Sequence, residues 1–227
     1  GLAIAEELAA SDPDNAGWQR DLSVSHDRIG DVRRDQGDLA GALSAYEAGL
    51  AIAEELAASD PNNAGWRRDL SVSHLKIGDV RREQGDLAGA LAAYEAGLAI
   101  AEELAASDPA NAGWRRDLSV SHNKIGDVRR DQGDLAGALA AYEAGLAIAD
   151  ELAQRDPANA GWRRDLIVSH AKLAFVAVDQ GRIEAARRRY GSAIQIADEL
   201  AATGRLSPSD AWMPQALREW RDALPGG

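Results

Sequence analysis

The sequence predicts an all-α protein built from tandem helix–turn–helix repeats, and three observations support that prediction. Tryptophan recurs with a 48-residue period, at Trp18, Trp66, Trp114 and Trp162, and histidine and glycine recur with the same period. Each copy contains two stretches in which apolar residues return at spacings of three and four. Alanine is abundant and aromatic residues are scarce, a composition that suits close-packed helices better than a β-sandwich.

The copies are nearly identical, which indicates recent duplication, gene conversion or design. Residues 49–96 and 97–144 differ at three places only: Asn62/Ala110, Leu75/Asn123 and Glu83/Asp131. A single helix pair cannot bury its apolar stripes alone. We therefore expect neighbouring repeats to stack on one another.

The third copy shows both helices of the repeat. The first apolar stripe consists of Trp114, Leu118, Ser121, Ile125 and Val128, and the second of Leu135, Ala138, Leu139, Tyr142, Leu146, Ala149 and Leu152. Between them, Gly133 suits the left-handed residue that ends a helix, and Asp134 can cap the next one. At the other junction Pro109 cannot continue the incoming helix, and either Asp108 or Asn111 can be the N-cap.

These residues resemble the signature of the tetratricopeptide (TPR) family. The resemblance rests on the segments Ile125–Val128 and Gln132–Leu135, followed by Ala138, Tyr142 and Leu146. It recurs in fixed register between Gly30 and Tyr142. Gly126 resembles the small residue that lets the two helices approach, Ala138 the small residue that packs against it, and Pro109 the proline that closes a repeat. Because the family repeat has about 34 residues, this chain resembles a long-helix variant.

The resemblance implies an α–α solenoid, in which antiparallel helix pairs form a right-handed superhelix. We expect a repeat array over residues 1–203 and a C-terminal capping helix and tail over 204–227. Gly1 aligns with Gly49, so the first repeat is expected to be truncated and the chain to be a fragment of a longer protein.

The fourth copy diverges from the others. Asp127, Arg129 and Arg130 become Phe175, Ala177 and Val178, and Leu139-Ala140-Ala141 becomes Arg187-Arg188-Arg189. The last predicted helix carries Trp212, Ala216, Trp220 and Leu224 at steps of four. We expect this helix to cap the array and to cover the apolar patch near Phe175 and Val178.

Composition argues against several functions. The net charge of −12 disfavours binding to nucleic acid. No apolar run approaches the roughly 20 residues that span a bilayer, so no membrane contact is expected. The chain has no cysteine, which agrees with a reducing compartment, and a cytoplasmic location is predicted.

Metal, cofactor and catalytic sites are not predicted. Each repeat offers one histidine (His26, His74, His122 and His170), whereas zinc needs three or four ligands on one ion. Asp27, Asp31 and Asp35 share one helix face, a pattern more typical of a solvated charged surface than of an acid–base pair. No phosphate-binding loop, nucleophile elbow or zinc-protease motif is present. The repeated tryptophans suit a ligand-stacking ladder or helix packing, and packing is favoured.

The resemblance implies a concave groove lined by the first helix of each repeat. The predicted partner-binding residues are Arg20, Asp27, Asp31, Arg34, Arg68, Leu75, Asp79, Arg82, Arg116, Asn123, Asp127 and Arg130. One position on this line varies from copy to copy: Asp27, Leu75, Asn123 and Ala171. Two interpretations stay open, namely drift at an exposed site and a determinant of partner specificity.

The function predicted from these observations is a protein-interaction scaffold that holds a partner segment or peptide. The resemblance implies a context of bacterial signalling or effector proteins. The alternative is a structural array that assembles with itself, by end-to-end stacking or by exchange of repeats.

Overall fold

The computed structural model describes residues 1–226, and these residues form ten α-helices, one short 3₁₀-helix and no strand. The α-helices are α1 (Leu2–Ser11), α2 (Ala16–Asp35), α3 (Leu39–Ser59), α4 (Ala64–Glu83), α5 (Leu87–Ser107), α6 (Ala112–Asp131), α7 (Leu135–Arg155), α8 (Ala160–Asp179), α9 (Ile183–Ala202) and α10 (Met213–Asp222). The 3₁₀-helix covers Pro208–Asp210. The all-α prediction is confirmed, and none of the described helices is both long and apolar enough to cross a membrane.

The chain divides into two compact parts, an N-terminal part (Gly1–Asp108) and a C-terminal part (Pro109–Gly227). Each part contains two helix pairs, α2/α3 and α4/α5 in the first and α6/α7 and α8/α9 in the second. Within a part, every first helix packs on the second helix of its pair, and that second helix packs on the next first helix. This chain of contacts is the stacking that the periodic sequence predicts.

Side-chain caps fix where the helices begin. Asn111, and not Asp108, is the N-cap of α6, and its side chain accepts a hydrogen bond from the backbone N–H of Trp114 at 3.1 Å. The second helix of the same pair begins after Asp134, whose carboxylate accepts from the N–H of Gly137 at 2.9 Å. The preceding Gly133 has a φ of +79°, so the predicted left-handed turn is confirmed.

In the first three repeats the core lies where a glycine of the first helix meets a tyrosine of the second, and the fourth repeat has Ala174 at the glycine position. A Cβ atom on Gly126 would lie 2.4 Å from the ring of Tyr142, which is 1 % exposed. Gly126 therefore lets the helices approach, as predicted, but the atoms nearest to it belong to Tyr142. Ala138 is fully buried in the same apolar cluster as Tyr142.

The C-terminal segment continues the register of the repeats. Residues 208–222, which hold the 3₁₀-helix and α10, lie one repeat period after residues 160–174 of α8. The helix α10 packs on α9, and Met213, Leu217 and Leu224 join a core cluster against which Phe175 and Val178 pack. Met213 and Leu217 of α10 thus share an apolar cluster with the fourth repeat, and α10 lies in the sequence at the position of a shortened fifth first helix.

The close contact between Gly126 and Tyr142 leads to a stability prediction. Gly126→Ala is expected to lower the free energy of unfolding by about 1–3 kcal/mol, since overpacking a tight core costs more than the gain in helix propensity. The measurement is denaturant unfolding followed by circular dichroism. Gly191→Ala is the matched control, because a Cβ atom there meets nothing within 4 Å. The control should leave stability unchanged or raise it, and equal losses for both variants would contradict the prediction.

Candidate partner-binding face

Arginines on the predicted groove line form ion pairs between successive first helices. In the N-terminal part, Arg20 of α2 donates from Nε to Asp69 of α4 at 2.5 Å. In the C-terminal part, Arg130 of α6 donates in the same way to Asp179 of α8 at 2.5 Å. Two further pairs follow the same offset of 49 residues: Arg34–Glu83 and Arg116–Asp165. Much of the charge on this face is therefore matched within the protein.

The aspartates of the line join three helices at once. Asp31 of α2 accepts hydrogen bonds from the hydroxyl of Tyr46 in α3 at 2.7 Å and from Nζ of Lys76 in α4 at 2.6 Å. Burial opposes ionisation of Asp31, but the bonds from Lys76 and Tyr46 outweigh it and lower its pKa. Burial, followed by the bond to Asp31, raises the pKa of Tyr46. The Asp31 carboxylate therefore links α2 to both α3 and α4 through hydrogen bonds.

The C-terminal part has the same arrangement of hydrogen bonds around Asp127. Asp127 accepts from the hydroxyl of Tyr142 at 2.6 Å and from Nζ of Lys172 at 2.5 Å. The ammonium of Lys172 also lies 5.6 Å from the centre of the Tyr142 ring. Asp79 holds the equivalent tyrosine, Tyr94, at 2.5 Å. The two remaining predicted arginines lie at equivalent positions of α4, where Arg68 is exposed and Arg82 is half-buried.

The position that varies between copies does not lie on an open surface. Asn123 and Ala171 are only 9 % and 8 % exposed, so the interpretation of this position as an exposed site is wrong for them. The side chain lies instead against the second helix of its own repeat, where the backbones approach closely. A Cβ atom on Gly145 would be 3.0 Å from Oδ1 of Asn123, and one on Gly97 would be 3.3 Å from Leu75.

Side-chain volumes at this contact are complementary. Aspartate, leucine or asparagine faces a glycine in the first three repeats, whereas in the fourth Ala171 stands where the second helix has Ala193 in place of glycine. Packing against the neighbouring helix therefore accounts for part of the variation. A role of this position in partner specificity stays a prediction.

Both polar members of this set, Asp27 and Asn123, have a buried Oδ1 atom without a hydrogen-bond partner. Burial raises the pKa of Asp27 to about 6, which Lys76 opposes and the nearby carboxylates of Asp31 and Asp69 support. The Asp27 carboxyl is thus poorly placed to carry a permanent charge toward a partner.

A depression of about 230 Å³ lies between α6 and α8. It is lined by Arg116, Ser119, Val120, Asn123, Lys124, Asp127, Arg164, Asp165, Val168 and Lys172. Three of the predicted groove residues are therefore brought together here: Arg116, Asn123 and Asp127. The lysines on this face were not among the predicted residues, although a basic residue occupies their position in every repeat.

An apolar pocket of about 160 Å³ shares Val168 and Lys172 with the depression. Its walls are aromatic: the rings of Phe175 and Trp220 are 5.2 Å apart between centroids. The ring of Trp212 lies 6.4 Å from that of Trp220. The two tryptophans are 55 % and 37 % exposed, and exposed aromatic surface of this kind is typical of interaction sites.

The pocket arises where the ion-pair pattern is replaced by aromatic contacts. Phe175 is the counterpart of Asp127 one repeat further along the chain, and Trp220 is likewise the counterpart of Lys172. The aromatic pair therefore occupies the positions of a hydrogen-bonded Asp–Lys pair. Tyr190, the counterpart of Tyr142, packs edge-on against Phe175 at 6.1 Å. The sequence signal for this pocket is the 48-residue spacing itself, which aligns the C-terminal segment with the repeats and shows that aromatic residues replace the Asp–Lys pair.

Among the described residues, no three histidine, aspartate or glutamate side chains are grouped to hold a metal ion. The histidines remain one to a repeat, and burial lowers the pKa of both His74 and His170. The four repeated tryptophans are half-buried, which agrees with a packing role.

No protein-family model and no curated protein sequence matches the chain. Solved structures do. BtubC (BKLC) from P. vanneervenii aligns with a TM-score of 0.65 and 16 % identity, over 100 % of this chain and 90 % of the other. MamA aligns with a TM-score of 0.54 and 14 % identity, over 88 % and 89 %.

The apo form of RapI aligns with a TM-score of 0.62 and 10 % identity, and covers 97 % of this chain. This chain spans 54 % of that protein, about half its length. These structures are TPR-like helical repeat proteins. At such low identity the likeness concerns the fold, and it shows that this chain has the helical-repeat fold of the α–α solenoid type.

The buried carboxyl of Asp27 leads to a prediction about pH. Its pKa of about 6 in the folded state exceeds the ordinary value of 3.8, so the folded state retains a proton that the unfolded state releases. The free energy of unfolding should therefore fall as the pH rises between these values and stay lowered above them. Asp27→Asn should remove this loss and stabilise the protein by about 1 kcal/mol above pH 6, after allowance for solvent screening.

The measurement is the thermal midpoint of both proteins at pH 4 and at pH 7.5. The gain from Asp27→Asn should be present at the higher pH and absent at the lower one. Asp14→Asn is the control, because Asp14 is exposed in a turn. A gain of the same size at both pH values would contradict the assignment.

Proposed function

We propose that the protein is an interaction scaffold that binds a partner segment along the face formed by its first helices. The observation that carries the proposal is the apolar pocket at Trp212 and Trp220, which shares the lining residues Val168 and Lys172 with the charged depression between α6 and α8. A buried apolar anchor with a polar rim is the usual anatomy of a protein-binding site. The repeat fold supports this function, because stacked repeats present long, stiff surfaces.

The apolar pocket suits one anchoring side chain of the partner. Its volume of about 160 Å³ is smaller than the roughly 300–1,000 Å³ of small-molecule sites. Phe175, Met213 and Leu217 form its floor and walls, and Lys172 lies at its edge. A leucine or an aromatic ring would displace water from this surface at little cost, because the pocket is already formed.

The depression suits a segment that carries acidic groups beside the anchor. Four basic side chains line it against two acidic ones, the basic ones being Arg116, Lys124, Arg164 and Lys172. The ion pairs on this face hold several of these side chains in place before a partner arrives, which lowers the entropy cost of binding. The equivalent line of first helices within the N-terminal part, from Arg20 to Arg82, is proposed to bind a partner in the same way.

No catalytic role is included in the proposal. A stiff surface that binds a partner needs neither a cofactor nor a nucleophile, and the proposed partner is a protein or peptide rather than nucleic acid or a membrane. A cytoplasmic location is part of the same proposal.

The proposal predicts which variants lose the partner. Trp212→Ala combined with Val168→Ser should weaken capture of the partner by about 30-fold or more, since truncating an anchor residue typically costs at least 2 kcal/mol. The measurement is partner capture from a lysate of the source cell by the immobilised chain, followed by affinity measurement with the captured protein. Circular dichroism should show unchanged helicity.

Val32→Ser is the matched control, because Val32 is 55 % exposed and lines neither the pocket nor the depression. The control should retain the partner. Variants of Asp31 or Asp127 are less suitable, because these side chains join the helices and their loss would disturb the fold. A partner that binds the anchor variant as tightly as the unchanged chain would overturn the proposed site.

Self-assembly is the second candidate, and one observation favours it. Ile4 and Leu8 of α1 are 63 % and 39 % exposed, so this helix presents an apolar edge that a second copy of the chain would cover. Light scattering over a range of concentrations distinguishes the candidates. A mass that rises with concentration and falls back in an Ile4→Ser/Leu8→Ser variant would establish self-assembly, and a constant monomer mass would exclude it.

A further inference from the structure

A second cavity, of about 330 Å³, lies on the side of the C-terminal part that is formed by the second helices of the third and fourth repeats. It is bounded by α7, by the end of α8 and by α9, all within the C-terminal part. Its charged lining consists of Arg182, Arg188, Arg189 and Glu143. The floor is apolar, with Leu139 and Leu173. This cavity is separate from the proposed partner-binding face and the inference drawn from it goes beyond that function.

The cavity exists because the fourth repeat has lost a side chain that fills the equivalent space elsewhere. In the second repeat, Arg81 of α4 lies between α3 and α5, where its guanidinium is 3.6 Å from Glu47 and 3.5 Å from the carbonyl oxygen of Gly89. The residue at that position of the fourth repeat is Ala177, which lines the cavity. The counterpart of Glu47 is Glu143, which remains in the wall.

The fourth repeat surrounds this empty space with positive charge from other positions. Compared with the third repeat, one arginine is lost, one aspartate becomes Arg182, and two alanines become Arg188 and Arg189. The net change is a gain of three positive charges around one cavity, in a chain whose net charge is −12. Arg182 also replaces the aspartate that caps the other second helices, and it makes no capping bond itself.

Two of the three arginines that line the cavity, Arg188 and Arg189, have side chains without a bonding partner in the described part of the protein. Within residues 1–226, the side chains of Arg188 and Arg189 form no hydrogen bond and no ion pair, and the nearby Glu143 is exposed. Arg187 differs from them, because it holds the C-terminal segment through the carbonyl oxygens of Leu224 and Pro225 at 3.0 and 2.9 Å. Arg188 and Arg189 are therefore available to a ligand.

We propose that this cavity is a binding site for a phosphate monoester attached to a small apolar group, held by Arg182, Arg188 and Arg189 over the floor of Leu139 and Leu173. A guanidinium group can donate two parallel hydrogen bonds to two oxygens of one phosphate, and it remains charged at all physiological pH values. The three arginines and Glu143 leave a net charge of two positive units, which matches a monoester of about −1.5 to −2 at pH 7. The apolar part of the ligand lies on the two leucines.

The site is tested with phenyl phosphate as the probe, by isothermal titration calorimetry on the unchanged chain at low salt. Binding is expected, and it should weaken about tenfold or more in the Arg188→Gln/Arg189→Gln variant, because each charge-assisted bond contributes strongly to the affinity. Arg188→Gln alone should give a smaller loss. Glu143→Gln should tighten binding several-fold, because it removes the carboxylate that repels the ligand. Both arginines are unpaired, so the fold should persist, and circular dichroism verifies this.

Arg28→Gln is the matched control, because Arg28 is exposed, lies in α2 and loses the same charge. It should bind phenyl phosphate like the unchanged chain. Absence of binding at millimolar phenyl phosphate would overturn the proposal, as would equal losses in the control and the double variant. Inorganic phosphate should bind more weakly than phenyl phosphate, and equal affinities would contradict the role of the apolar floor.

A short peptide that carries phosphotyrosine distinguishes the two sources of such a ligand. Binding of both the peptide and phenyl phosphate would identify a modified side chain of a protein as an acceptable ligand. Binding of phenyl phosphate alone would restrict the site to small molecules. Both results support the site, and neither depends on the partner-binding face.

Discussion

Hydrogen bonding to one carboxylate, which lies at the centre of the first helix in the first three repeats, is the interaction on which the rest of these repeats depends. Asp127 receives one hydrogen bond from the tyrosine of its own second helix and another from Lys172 of the next first helix. A single side chain thus fixes the spacing within a repeat and between neighbours. The tyrosine ring reaches this carboxylate only because Gly126 has no side chain, so glycine, tyrosine, aspartate and the basic residue form one set.

This constraint explains why the copies are alike where they are polar as well as where they are apolar. Within each part of the chain, arginines and lysines of one first helix pair with carboxylates of the neighbouring first helix. A change at one member leaves the other partly buried without a partner, at a cost larger than that of an isolated exposed pair. Individually, such exposed pairs contribute about 0–1 kcal/mol, but several act together on each of these contacts.

The fold was predictable from the sequence because each of its signals is local and repeated. The period, the apolar stripes, Gly133 and Asp134 all identify helices and turns without knowledge of the packing. The N-cap remained open, because Asp108 and Asn111 both have a side chain able to cap. Only the position of the first free N–H, at Trp114, decides for Asn111.

The binding face was less predictable, because pairing depends on how one first helix is set against the next. The charges on the line from Arg20 to Arg130 are visible in the sequence, but their partners on the neighbouring first helix are not. The interpretation of the variable position stayed open for a related reason. Asn123 lies opposite the apolar stripe of its helix, but the close approach at Gly145 buries it. A glycine on one helix thus decides the exposure of a residue on another.

In the fourth repeat this hydrogen-bonded set lacks both the aspartate and the basic residue. Phe175 and Trp220 replace the carboxylate and the basic residue, so an apolar pocket appears on the face of the first helices. Ala177 replaces an arginine on the other side, so a cavity appears beside α9 and unpaired arginines surround it. In the regular repeats many of these charges pair with one another, which leaves fewer of them for a ligand. We therefore expect partners and ligands to bind where the 48-residue spacing continues but the residue types change. The fourth repeat has one such site on the face of its first helix and another beside its second helix, α9.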